Sequence, residues 1–153
     1  MKNLFDVAGK VALVTGGSRG IGEMIAEGFV ANGVRTYISA RKAEACDATA
    51  ARLSEIGECV SVPADLSTAE GINTLVETIG AGEDRLDILV NNAGAVWGEP
   101  LETFPESAWD KVMTINVKSP FFLTQALLPL LEAGATAEDP ARIIMVGSVD
   151  GLN

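Results

Sequence analysis

Short apolar, β-rich runs recur at Val11–Val14, Thr36–Ser39, Cys59–Val62, Ile88–Val90 and Ile143–Val146, and longer stretches with helical spacing lie between them. Runs of this kind predict strands that are apolar on both faces, rather than half-exposed strands that alternate. In the first intervening stretch Ile21, Ile25, Phe29 and Val30 share one face, Glu23 and Glu27 take another, and Asn32-Gly33 supplies the stop. Ala43–Ile56 repeats the pattern more weakly through Ala50, Leu53 and Ile56, and its alanine content favours a helix. Phe104–Leu131 is the longest helical segment and reads as one helix, although Pro120 and Pro129 each remove a backbone donor inside it. Gly134–Pro140 forms a small, acidic turn segment before the last strand.

Strands separated by helices imply a parallel sheet with right-handed crossovers, covered on both sides, whose ligands bind beyond the C-terminal strand ends. The length of 153 residues predicts one α/β domain over 1–153, and 48% hydrophobic against 21% charged residues excludes general disorder. Eleven Lys+Arg against 21 Asp+Glu leave a net charge of −10, which repels a phosphate backbone and argues against a nucleic-acid partner. Histidine is absent, which excludes a Ser-His-Asp triad, a Cys-His pair and imidazole-bound zinc; no metal site is expected. Cys46 and Cys59 form no C-x-x-C and read as small core residues in a reducing compartment. Asp6 interrupts the place where a signal peptide needs its apolar core, and no 18-residue apolar run follows. The expectation is a soluble, cytoplasmic protein with no membrane partner.

The chemistry concentrates after the first strand, in Thr15-Gly16-Gly17-Ser18-Arg19-Gly20-Ile21-Gly22, which opens onto the first amphipathic helix. Glycines there let the backbone approach a pyrophosphate, and a helix N-terminus offers free N–H groups and partial positive charge. The loop is not a P-loop, because Glu23 follows the Gly17–Gly22 frame where the phosphate-reaching Lys is needed. Nor is it G-x-G-x-x-G, since the spacing is G-x-x-x-G-x-G.

That spacing, with Asp65-Leu66 after the third strand and Asn91-Asn92-Ala93-Gly94 after the fourth, resembles the short-chain dehydrogenase/reductase family across almost the whole chain. The resemblance implies a Rossmann-type doubly wound parallel sheet, with Gly16, Ser18, Arg19, Gly20, Ile21 and Gly22 at the cofactor phosphates. Asp65 would accept a hydrogen bond from the adenine amino group beside Leu66, or serve as an acid at a helix start; the two roles are compatible. Asn92, Ala93 and Gly94 would flank the cofactor ribose, while Asn91 also reads as a residue bonding neighbouring backbone. An acid at the end of the second strand would bind a ribose 2′-OH, but Ser39-Ala40-Arg41-Lys42 has none. Arg41, with Arg19, suits a 2′-phosphate instead, so NADP(H) is the expected cofactor.

By the same resemblance Ser148 is the catalytic serine that holds the substrate carbonyl oxygen, and Asn116 is the helix asparagine supporting a water in a proton relay. The family's general acid, a Tyr-x-x-x-Lys about a dozen residues past the serine, does not occur in the 153 residues; Tyr37 with Arg41 lies upstream and reads as a packed strand residue. The chain is therefore expected to be the N-terminal portion of a longer reductase, its sheet truncated after the fifth strand and its full-length form a homo-oligomer. Asn91–Gly98, Trp109–Met113 and the Ala133–Pro140 loop look most like the 3-oxoacyl-acyl-carrier-protein reductases of the rhamnolipid-biosynthesis type. The resemblance implies reduction of a 3-oxoacyl thioester borne on acyl-carrier protein or CoA, with Trp97 lining the acyl site. Trp97 and Trp109 also read as packing residues. Lys111 and Lys118 offer local positive charge to an acidic carrier. The alternatives are a sugar, steroid or acyl-CoA substrate, or an inactive module that keeps the NADP cradle without the acid.

Overall fold

The computed structural model describes residues 5–151. Five parallel strands, β1 (Val11–Thr15), β2 (Arg35–Ser39), β3 (Cys59–Ser61), β4 (Ile88–Asn91) and β5 (Arg142–Met145), form one sheet in the order β3-β2-β1-β4-β5. The chain grows outward from β1 through β2 to β3, then crosses back to lay β4 against the other side of β1. The strand order thus reverses at β1 and β4, where a doubly wound sheet leaves a crevice above its C-terminal edge. Helices α1 (Gly20–Ala31), α2 (Ala43–Leu53), α3 (Ala69–Gly82), α4 (Glu106–Met113) and α5 (Ser119–Ala133) complete the frame.

All five residues of β1 are buried, and alternation sends them into two cores. Leu13 packs with Tyr37, Leu75, Ile79, Leu89 and Leu127, whereas Ala12 and Val14 pack with Ala26, Val30, Ile38, Cys46 and Leu53. These are the α3/α5 and α1/α2 layers, so the central strands β1, β2 and β4 are covered on both sides as their apolar sequences require. Cys46 is fully buried; Cys59 is half-buried, and burial pushes its thiol up to about 11. Tyr37 is packed inside β2 and donates its hydroxyl to Glu83 at 2.6 Å.

Several elements differ from their sequence outlines. The buried stripe of α1 is Gly22, Ala26 and Val30, while Ile21 at its start is 62% exposed. Helix α2 stops at Leu53 and Ile56 is exposed, because Ser54 donates its hydroxyl to Cys59 O and turns the chain toward β3. Helix α3, which the apolar pattern did not delimit, starts where Thr68 Oγ1 accepts from Gly71 N–H at 3.0 Å and buries Ile72, Leu75 and Ile79.

The segment expected as one helix from Phe104 starts at Glu106, since Pro105 holds Phe104 extended. It also divides: α4 and α5 are joined by a π-helical turn, Thr114–Lys118. Pro120 accounts for the widening, because its ring collides with the carbonyl of residue 116 in regular α geometry and it has no N–H to give. Ser119 follows the wider register, its N–H bonding Thr114 O and its hydroxyl meeting both Thr114 O (2.8 Å) and Leu66 O (2.5 Å). Pro129 lies within α5 without ending it. The last strand lies at the sheet edge, with Ile143, Ile144 and Met145 each exposed.

Candidate active site

The glycine loop leaves β1 at the switch point. Gly16 and Gly17 both donate their N–H groups to Ser39 O, at 2.8 and 3.2 Å, which ties the loop to the end of β2. Gly16 sits at φ +67°, and a Cβ there would lie 2.9 Å from Asn92 Nδ2. Gly22 is tighter still: a Cβ would lie 2.3 Å from Gly16 O. From the outer side Thr49 of α2 donates its hydroxyl to Ser18 O at 3.0 Å. Gly20, at φ +57°, faces open space. Arg19 is the extended residue before α1, and no side chain caps the helix. The first-turn N–H groups are therefore offered at the C-terminal edge of the sheet without a side-chain acceptor, the arrangement that suits a phosphate.

Thr15 joins this loop to the segment after β4. Its hydroxyl oxygen accepts from Asn92 N–H and Ala93 N–H, each at 3.0 Å, and donates to Val90 O at 3.3 Å. Asn92 returns the tie by donating Nδ2 to Thr15 O at 2.9 Å. Asn91, buried, points the other way and donates to Thr124 Oγ1 and Met145 Sδ. Replacing Thr15 by valine keeps the shape of the side chain and strips two N–H groups of their acceptor. A loss of about 2 kcal/mol is expected, read as a lower midpoint in denaturant melts, with an unchanged midpoint counting against the hub.

Beyond Ala93 the chain has no regular structure through residue 100, and Gly94 is exposed. Asn116, in the π turn, brackets Ala95: Oδ1 accepts its N–H at 2.9 Å and Nδ2 donates to its O at 2.8 Å. This side chain is thus spent on the backbone, and Asn116 positions the segment after β4. On the next strand Val146 N–H bonds Asn91 O at 3.0 Å, carrying the β4–β5 pairing one residue past the ladder. Ser148 is exposed two residues later, and its carbonyl accepts from Gly151 N–H at 3.1 Å.

On the β2 side the charges are unevenly used. Of six arginines, Arg35, Arg52, Arg85 and Arg142 are ion-paired, whereas Arg19 and Arg41 have no ion pair among the described residues. Both are exposed, one on the glycine loop and one just past β2. Asp65 accepts from the Ser67 hydroxyl (2.7 Å) and N–H (3.0 Å). These bonds, chiefly that of the hydroxyl, and then the charge of Arg41 hold its carboxyl below the usual range. Leu66 beside it is buried, and Ser39 Oγ is buried without a hydrogen-bond partner among the described residues. A hollow of about 740 Å³ lies at the opposite sheet edge, but its Lys10, Arg35 and Arg85 are neutralised by Asp139, Glu58, Glu83 and Asp87.

A family model described as short chain dehydrogenase matches residues 10–153. The chain belongs to that family. Within the short-chain dehydrogenases it is similar to the rhamnolipids biosynthesis 3-oxoacyl-[acyl-carrier-protein] reductase of Pseudomonas aeruginosa, 55% identical over all of this chain and 60% of the relative. The solved complex of Pseudomonas aeruginosa RhlG with NADP superposes with a TM-score of 0.95, at 55% identity, over 100% of this chain and 60% of that one. A 5-keto-D-gluconate 5-reductase of Escherichia coli is 34% identical over 83% of the chain and 50% of its own length. The chain thus spans about half to three-fifths of the length of these relatives. The fold agrees with the Rossmann-type parallel sheet expected from the motifs. Among the described residues no helix is long and apolar enough to cross a membrane.

Thr15, Thr49, Ser39 and Ser119 complete the setting and were not singled out from sequence. Thr15 stood within the glycine motif, but its role depends on how β1 and β4 are registered. Nothing local marks Thr49.

Proposed function

We propose that this chain forms the NADP-binding and serine-bearing part of an oxidoreductase that reduces a 3-oxoacyl thioester to the 3-hydroxyacyl product. The observation that carries the cofactor choice is the pair Arg19 and Arg41, which make no ion pair among the described residues and lie beside a helix N-terminus with no side-chain cap, with no acid at the end of β2. The residues fit the group: Gly20 leaves the approach open, Gly16 and Gly22 let the loop pack closely on itself and on Asn92, and the N–H groups of Gly20, Ile21 and Gly22 meet phosphate at the positive end of α1, next to Ser18. Arg41 and Arg19 bind a 2′-phosphate through charge-assisted hydrogen bonds. Asp65 remains ionised and accepts from an adenine amino group beside Leu66. Asn92, Ala93 and Gly94 leave room for the ribose.

Bound there, NADPH supplies the hydride. Ser148 donates its hydroxyl to the substrate carbonyl oxygen and strengthens that bond as negative charge grows on the oxygen. Asn116, its side chain held by Ala95, supports a relay water through its main chain. Tyr37 is not the proton donor, because it is buried in β2 and committed to Glu83. The acyl-thioester substrate, on acyl-carrier protein or CoA, follows the Pseudomonas relative, whose identity across this chain exceeds that of the gluconate enzyme. The same reading takes the protein to be cytoplasmic and its full-length form to be a homo-oligomer, the latter supported by exposed Met113, Val117 and Phe121 on the α4–α5 unit. It excludes a nucleic-acid partner on the net charge of −10.

Arg41→Ala tests the cofactor assignment. NADPH affinity is expected to fall about ten-fold or more while NADH affinity holds, given the strength of hydrogen bonds to charged groups. Fluorescence titration with both nucleotides measures it. Equal losses for the two would refute a 2′-phosphate contact, and NADPH binding without turnover would favour the inactive-module reading.

A further inference from the structure

The segment after β4 is held by a second contact besides Asn116. Lys111 of α4 places Nζ 5.1 Å from the centroid of the Trp97 ring, within cation–π range. Lys111 makes no ion pair among the described residues, unlike Lys10, which is paired with Asp139. The indole it pins is only partly covered, at 44% exposure, and the neighbouring Val96 and Leu101 are 93% and 91% exposed. Two anchors from consecutive turns of one helical unit thus fix an irregular segment whose outward surface is apolar. That segment leaves the C-terminal end of β4, directly beside the exit of β5 toward Ser148.

We propose that Lys111 is a positioning residue that holds Trp97 as one wall of the path taken by the substrate's acyl chain, and so sets chain-length preference. The inference rests on the acyl-thioester reading above. A thioester whose carbonyl lies at Ser148 must run its tail along one of the flanking segments, and Val96–Leu101 offers apolar surface that otherwise faces water. The indole under the ammonium keeps 44% of its surface exposed, which leaves area for a hydrocarbon chain to cover. A free Trp97 would sample other rotamers, and the ordering cost would then fall on binding.

The test uses the full chain saturated with NADP+, which permits substrate binding without turnover, and titrates 3-oxodecanoyl-pantetheine and 3-oxobutanoyl-pantetheine. Lys111→Met keeps the aliphatic stem and removes the charge. It is expected to weaken binding of the long chain about three-fold and leave the short one unchanged, with Lys111→Arg restoring the wild-type ratio. In a Trp109→Phe background, which leaves Trp97 as the lone tryptophan of these 153 residues, acrylamide quenching should rise in Lys111→Met and return in Lys111→Arg. Equal weakening of both chains, or wild-type binding by Lys111→Met, overturns the proposal while leaving the acyl-thioester reading in place. If the unmutated protein binds neither compound, that reading fails first and takes the proposal with it.

Discussion

A Gly22→Ala protein is expected to melt about 6–12 °C lower and to bind NADPH at least about ten-fold more weakly. The added methyl would meet Gly16 O at 2.3 Å and Asn92 Nδ2 at 2.5 Å. Neither can yield cheaply, since one is backbone and the other is already hydrogen-bonded to Thr15 O. Overpacking of this kind costs about 3 kcal/mol, and the relief open to it is to push α1 away from the loop, which moves the N–H groups offered to phosphate. Gly28→Ala in the same helix is the control: nothing lies within 4 Å of its Cβ, so a gain of up to about 1 kcal/mol is expected there. Thermal melts and fluorescence titration read both variants. If Gly22→Ala melts with the unmutated protein, the close packing of loop, helix and Asn92 is wrong.

Under the proposed reduction, Ser148→Ala is expected to lower kcat for a 3-oxoacyl thioester about 10²–10³-fold with NADPH affinity nearly unchanged, as for loss of one donor to a developing oxyanion. The separation of effects is the informative part. The carbonyl contact proposed for Ser148 comes from the end of β5, whereas the contacts proposed for the cofactor come from β1, β2 and the segments after β3 and β4. Stopped-flow reduction with a 3-oxoacyl-pantetheine, beside a nucleotide titration, measures the two terms. A variant with full kcat would assign the carbonyl contact to another group.

The sheet and the glycine loop were legible because their information is local. Val11–Val14 and Ile88–Val90 are short, apolar at successive positions and rich in β-branched residues, as a strand buried on both faces requires, and G-x-x-x-G-x-G follows the first of them. The apolar face drawn for α1 was less accurate: it included Ile21, whereas the close approach to the loop buries glycine at position 22. The limits of α3 are not legible, since its short stripe of Ile72, Leu75 and Ile79 is capped by a threonine that looks like any loop residue. Least legible were the ties between segments. Thr15, Thr49 and Asn116 act on residues 77, 31 and 21 positions away, so their roles exist only once the register of the sheet is set.

The widened turn at Thr114–Lys118 has a consequence for how this region tolerates change in length. It lets α4 aim Lys111 and Ala108 at one set of neighbours while α5 aims Leu123, Leu127 and Leu131 at another. The wide turn holds one residue more than a regular α turn over the same rotation, so it is in the flanking α4 and α5, where no such slack exists, that inserting or deleting a residue would turn everything C-terminal to it by about 100° and rotate those leucines off the sheet. The turn therefore works as a phase adjuster between two faces that answer to different demands, one to the segment after β4 and one to the core. Point substitutions can drift on either side of it, whereas a change of length in α4 or α5 carries its whole rotation into the leucine face.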